Sequence, residues 1–261
     1  MEESRNELLY KFSRVSKYSL DALKDGYAWF SRMSELNDPF EGQVNLIGKH
    51  SVINRKIAIE WFEALEEVKY SNKKHHAKLD VIIKELYEIL IQSIKYQTEE
   101  SCILSLSQCD ERSDPIRNRL MWSHYADEMK GFCIEFFPGL FRSLSDKNES
   151  SHIIPVKTDY VSTQREIDIG KLHPGGESSR EIIMEMLKNK HEDWRYENEV
   201  RFASHNHGKH YYSHNTIKTI YLGGRMPESQ KEEIVGILKD ANPSIQVKYA
   251  TVGSRYEIVI K

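Results

Sequence analysis

Short apolar runs of strand character recur along the whole chain, and they do not alternate strictly with helical patterns. Leu8 to Phe12, Tyr27 to Ser31, Cys102 to Ser107, Phe132 to Phe137 and Ile153 to Lys157 read as strands. So do Trp194 to Ala203, Ile217 to Leu222, Ile245 to Ala250 and Tyr256 to Ile260. A doubly wound parallel sheet needs a helix between successive strands. The observed order instead predicts an α+β fold around a central, twisted, mostly antiparallel sheet. Pro155 withholds a backbone donor and marks its run as an edge strand.

Helical patterns are fewer. Ser16 can cap a short helix with Leu20 and Leu23 on one face and Gly26 at its C-terminal end. Asn37-Asp38-Pro39 is a turn signal. Ile57, Trp61, Leu65 and Val68, and then Leu79, Ile82, Leu86, Leu90 and Ile94, recur at helical spacing on either side of the polar break Ser71 to Lys74. They predict a helical hairpin inserted at about 50–100 of a single 1–261 domain. Pro115 opens a helix carrying Ile116, Leu120, Trp122, His124 and Tyr125 and running to near Gly131. Residues 162–180 read as a loop, and Ser178 with Glu181 as the capping box of the helix that follows. Pro227 opens a last helix, which Asn242-Pro243 stops.

With 39% hydrophobic and 30% charged residues among 261, the chain can build its own core. No apolar run approaches the ~20 residues of a membrane helix, and the polar N-terminus does not read as a signal peptide. A cytoplasmic location without a membrane partner is the expectation. A net charge of −3 excludes a strongly basic nucleic-acid binder and leaves room for a local basic groove. Cys102, Cys109 and Cys133 form an odd set, consistent with free thiols in a reducing compartment. His205, His207, His210 and His214 crowd a polar stretch without metal-ligand spacing, which reads as a solvated loop, and no metal is expected.

Five segments could carry chemistry. Counted as one strand, Trp194 to Phe202 places Glu197, Glu199 and Arg201 on one face and Asn198, Val200 and Phe202 on the other. Two carboxylates beside a guanidinium suit stabilisation of a developing cation or hydrogen bonding to sugar hydroxyls. The plainer alternative is a charge ladder in which Glu199 pairs with Arg201. The segment Leu120 to Ala126 offers stacking rings and the titratable His124, although a core-facing helix uses the same residues. Ser105 and Ser107 could orient a carboxylate or a ligand hydroxyl, or simply close a strand. Asp38 and Glu41 follow a turn that explains itself. Gly223-Gly224-Arg225, between a strand and a helix, could cradle a phosphate with Arg225 as counter-charge.

Leu9-Tyr10-Lys11-Phe12, Trp29-Phe30-Ser31 with Asn37-Asp38-Pro39-Phe40, Met121 to Ala126 with Gly131 to Phe136, and Trp194-x-x-Glu197-x-Glu199-x-Arg201 occur here in that order. Together they resemble the bacterial family known as domain of unknown function 2971, over nearly the whole chain. That name implies no activity. The order of parts also looks like the ADP-ribosyltransferase fold: a strand with a cofactor-binding residue, a short helix ending in Gly, a Ser-x-Ser strand, and a late Glu-x-Glu strand. The resemblance implies NAD as substrate. It makes Glu199 the catalytic carboxylate against the nicotinamide ribose, Glu197 its acceptor-side partner and Ser105 the residue that orients the glutamate. Tyr10, Lys11, Ser107, His124 and Tyr125 would line the cofactor site, with Tyr27 or Trp29 stacked on nicotinamide and Arg201 and Arg225 near phosphate. The chain departs from that pattern in having Tyr10 and Lys11 where Arg or His is usual, Leu106 where Thr is usual, and Arg201 beside Glu199.

The leading expectation is an NAD-consuming transferase or glycohydrolase, of the kind used as bacterial toxins or defence effectors, with a small nucleotide ligand and a protein or nucleic-acid acceptor. A second is a non-catalytic nucleotide or nucleic-acid binding module in which Trp122, Tyr125 and Trp194 stack bases and Arg195, Arg201 and Arg225 meet phosphates. A third, a metal-dependent nuclease, requires Asp38, Glu197 and Glu199 to converge.

Overall fold

A computed structural model describes residues 8–43, 45–47, 88, 91–92, 94–110, 113–148, 152–168 and 179–261. In chain order these form β1 (Leu9–Ser13), α1 (Lys17–Asp25), β2 (Tyr27–Arg32), β3 (Asn45–Ile47) and β4 (Cys102–Gln108). Next come α2 (Arg119–Tyr125), β5 (Phe132–Phe136), α3 (Leu140–Lys147), β6 (Ile154–Lys157), β7 (Asp159–Val161) and β8 (Glu166–Asp168). Then follow α4 (Ser179–Lys188), β9 (Asn189–His191), β10 (Glu199–Ser204), β11 (Gly208–Tyr211), β12 (Ile217–Gly223), α5 (Glu228–Ala241), β13 (Gln246–Val252) and β14 (Ile258–Ile260). The fold is α+β with an open, mostly antiparallel sheet. Among the described residues, only β12 and β13 run parallel within the large sheet. No helix among the described residues is long and apolar enough to cross a membrane.

The chain divides into two compact units. The first comprises Met1–Arg32, Cys102–Thr158 and Glu192–Lys261, and the second Met33–Ser101 and Asp159–His191. The second thus contains the region expected as an insertion together with residues 159–191. Residues 55–87 of the expected hairpin lie outside the described residues, as does Ser178 of the expected capping box; residues 94–99 are helical. The expected 162–180 loop contains β8, which pairs with β3.

The first unit is built on a ten-stranded sheet. Its hub is β4. One edge of β4 pairs along its length with β10, from Ser204↔Cys102 to Glu199↔Ser107. The other edge forks: β2 takes Cys102 and Ile103, while β1 takes Ser107 and Gln108. In the fork Lys11 donates from Nζ to the Ser105 carbonyl at 2.9 Å, supplying a partner to a carbonyl between the two arms. One arm continues from β2 to β11, the other from β1 through β5, β12 and β13 to β14. As Pro155 predicts for an edge strand, β6 pairs only with β10 among the described residues.

Local chemistry explains α1. Ser16 and Ser19 form a capping box, and Gly26 ends the helix at φ 68°, where its N–H donates to Ala22. A Cβ at Gly26 would also press on the His214 ring and the Tyr212 carbonyl. The helix packs Leu23 into the core on one sheet face, with Leu104, Leu106, Phe132, Phe202, Ile220, Leu222, Ile234 and Leu238. Burying such a side chain contributes about 1.5–3 kcal/mol. The opposite face holds Tyr10, Phe12, Cys133 and Tyr221 against Met121 and Trp122 of α2.

Three expectations are corrected. Residues 194–203 are not one strand: Glu192–Glu197 form a 3-10 helix, Asn198 adopts φ 43°, and β10 begins only at Glu199. The left-handed Asn resets the side-chain alternation, so strand counting across it fails. The helix expected from Pro115 to near Gly131 is broken into a 3-10 turn, Pro115–Arg117, and α2, each capped by its own side chain, Asp114 and Asn118. Residues 127–129 leave the helix with positive φ. The histidine stretch is a solvated loop only in part: His205 and His207 are exposed before β11, but His210 is 2% exposed in β11 and His214 is hydrogen-bonded to the Leu23 carbonyl at 2.9 Å.

Candidate functional site

Strand register brings several of the singled-out residues into one row. Glu199 lies opposite Ser107, Ser107 opposite Tyr10, Tyr10 opposite Glu135, and Glu135 opposite Thr219. Directly paired residues project from the same sheet face, so five adjacent strands carry a continuous polar row. All five residues are buried. Arg201, opposite Ser105, stands beside the row and is 0% exposed.

Each carboxylate in the row has partners. Arg201 Nη2 donates to Glu199 Oε2 at 2.9 Å, and the Thr158 hydroxyl lies 3.5 Å from the same oxygen. Glu135 accepts from the Tyr10 hydroxyl at 3.2 Å and the Tyr221 hydroxyl at 3.1 Å, with Lys218 Nζ at 3.7 Å. Burial, reinforced by the Glu135 charge, holds the Tyr10 and Tyr221 phenols protonated far above their ordinary range. Burial raises the Cys133 thiol in the same way, so it is inert rather than nucleophilic. The charge ladder foreseen at Glu199 and Arg201 therefore exists, but in the interior.

A second cluster lies where α2 meets the 3-10 helix before β10. Exposed His124 shares a 2.8 Å hydrogen bond between Nδ1 and the Tyr196 hydroxyl. The Tyr125 hydroxyl donates to Glu197, which is 5% exposed. The Trp194 and Tyr196 rings stand 6.1 Å apart, and His124 lies edge-on to Tyr196 at 5.8 Å. Asn118 anchors the segment by donating to the Tyr196 carbonyl at 2.9 Å. Burial, together with the nearby Glu197 charge, pushes the Tyr196 phenol up to about 12. Tyr125 and Tyr196 pack against the apolar cluster that includes Tyr10, so this cluster sits on the same sheet face as the polar row.

The other candidates fall elsewhere. Trp122 is fully buried, edge-on to Phe12 at 5.3 Å, with its indole N–H on the Ile116 carbonyl; it cannot stack on a base. Tyr27 and Trp29 lie on the β2 arm, Tyr27 buried and Trp29 48% exposed. Gly223 serves packing, since a Cβ there would collide with the Met129 carbonyl. Arg225 donates to the Glu128 carbonyl and carboxylate, each at 3.3 Å. Asp38 belongs to the second unit, where its Oδ1 caps Phe40 N–H. There it lines a cavity of about 660 Å³ with Met33, Glu41, Lys95, Thr98 and Met186. Among the described residues no group of three or more His, Cys, Asp or Glu is placed to hold a metal ion.

Sequence reasoning missed Glu135. The available signal was a single carboxylate inside the apolar run Phe132 to Phe137, since a charge in a buried strand requires dedicated partners.

No curated protein and no solved structure matches the chain. Residues 121–202, which hold both Glu135 and the aromatic cluster, match the model of the family described as protein of unknown function (DUF2971), and over this segment the chain is similar to that family.

Proposed function

We propose that the first unit is an NAD-consuming enzyme of ADP-ribosyltransferase-like build, acting through the face that carries Tyr10, Ser107, Glu197 and Glu199. The observation that carries the reading is the register Tyr10–Ser107–Glu199 across three adjacent strands. It sets the first strand, the Ser-x-Ser strand and the late glutamate strand side by side, which supports the reading. The His124–Tyr196–Trp194 rings supply a stacking surface for a planar base on the same face.

In this reading the bond from ribose C1′ to the nicotinamide nitrogen breaks, and its electron pair leaves with neutral nicotinamide. Water or an acceptor nucleophile then bonds to C1′ and releases a proton. Glu197, beside the accessible His124–Tyr125 end, is the carboxylate that meets the developing oxocarbenium ion. Glu199, held by Arg201 and Thr158, is a positioning residue in the floor.

The test is nicotinamide release from NAD by the full chain, with a thermal-shift titration alongside. Glu197→Gln is expected to lower release about 100-fold or more at unchanged melting temperature. If Glu199→Gln instead folds normally and alone abolishes release, the two roles are reversed. Wild-type protein that neither releases nicotinamide nor shifts its melting temperature with NAD refutes the reading.

A further inference from the structure

The outer face of the β2–β11 arm has no role in the site above. Tyr27 and Trp29 alternate with Ala28 and Phe30, which pack into the core, so the two larger rings project from the other side of the arm. Across the register Tyr211 faces Tyr27 and Lys209 faces Trp29. Trp29 is 48% exposed and Tyr211 45%. Lys209 Nζ lies 4.3 Å over the Tyr27 ring, the His207 ring stands edge-on to Trp29 at 5.2 Å, and the Tyr27 hydroxyl donates to the backbone carbonyl of the exposed Tyr18. This is a surface of rings interleaved with cations.

Residues 200–227 contain no Asp or Glu, in a chain with 40 acidic residues among 261. Of the basic residues in this stretch, Lys209 and His207 stand against the rings of this face, whereas Arg201 pairs with Glu199, Lys218 with Glu135 and Arg225 with Glu128. The edge of β11 is already covered at Tyr211, where Asn148 pairs with both the backbone N–H and the carbonyl at 3.1 and 2.8 Å. An added strand is thereby disfavoured, and the face rather than the edge is what the arm presents. Exposed rings that project from a sheet face beside Lys209 suit unpaired bases joined by phosphates. A duplex hides its base faces and gains nothing from Trp29.

We propose that this face binds single-stranded nucleic acid, with Trp29 and Tyr211 stacking on bases and Lys209 and His207 meeting the phosphate backbone. Fluorescence anisotropy of labelled 20-nucleotide oligo-dT and oligo-rU with the full chain tests it. Binding is expected to weaken steeply as salt rises. Trp29→Ala should weaken it about 5- to 150-fold, the range one lost stacking contact gives. Trp29→Phe should restore most of the loss, and Lys209→Glu should weaken binding and flatten the salt dependence, with melting temperatures confirming that each variant is folded. Glu197→Gln should leave oligonucleotide affinity unchanged, which separates this face from the proposed NAD site. Absent binding at low salt, a 20-base-pair duplex bound as tightly as the single strands, or wild-type affinity in the folded Trp29→Ala/Lys209→Glu double variant would each overturn the proposal.

Discussion

The two faces of the large sheet solve the same burial problem with different chemistry. One face meets α1, α3 and α5 through Leu9, Leu104, Leu106, Phe132, Ile134, Phe202 and Leu222, and its stability follows from apolar area and close packing. The other, under α2, buries Tyr10, Ser107, Glu135, Glu199, Arg201 and Thr219. Desolvating those groups costs several kcal/mol per ion unless each finds a partner, and well-packed apolar residues of similar volume often stabilise as well or better. The contrast separates a face explained by folding from one that folding alone does not require.

Neighbouring residues on β10 give the largest test. Phe202 points to the apolar face and Arg201 to the polar one. Phe202→Ala should cost about 3–5 kcal/mol in urea denaturation by leaving a cavity. Arg201→Met should cost about 3–5 kcal/mol by leaving Glu199 buried without its guanidinium. The faces part company in the rescue: adding Glu199→Leu to Arg201→Met should recover most of the loss. Failure of that rescue would mean that the polar pair is itself needed for the fold.

A smaller effect is expected at Tyr10. Tyr10→Phe removes one of two phenol donors from Glu135 and should cost about 1–3 kcal/mol in urea denaturation. The smallest concerns pH. His210 stacks 4.0 Å from Phe30 on the apolar side, and burial lowers its proton affinity below that of an ordinary imidazole. The fold holds the neutral ring, so the unfolded chain gains protons first as pH falls through the ordinary histidine range. Stability should therefore be fully present above that range and decline below it. Melting temperatures between pH 7.5 and 5.5 should fall less for His210→Phe than for the wild-type chain.

Much of the frame was readable in advance. The strand residues of β1, β2, β4, β5 and β12 carry their apolar runs on the surface of the sequence, and Ser16 and Gly26 delimit α1 by local chemistry alone. Reading failed where one residue changes the period. Asn198, in the left-handed region, detaches Glu197 from the strand that carries Glu199, and no count of alternation detects it. It failed again at His210, which lies in a polar stretch yet faces Phe30, whereas at Trp122 the core-facing alternative held. The register that aligns Tyr10, Ser107 and Glu135 joins segments about 100 residues apart, which local pattern does not encode.

The fork at Lys11 and Ser105 also sets a schedule. Both β1 and β2 rest on β4, a strand that follows them by some seventy residues. During synthesis at about 5–20 residues per second, the earliest two strands therefore wait about 4–15 s, with their backbone groups open, before the template against which they assemble leaves the ribosome. Growth of the nascent chain, more than any local propensity, times the first step of assembly, and that interval is when a holdase would have most to shield.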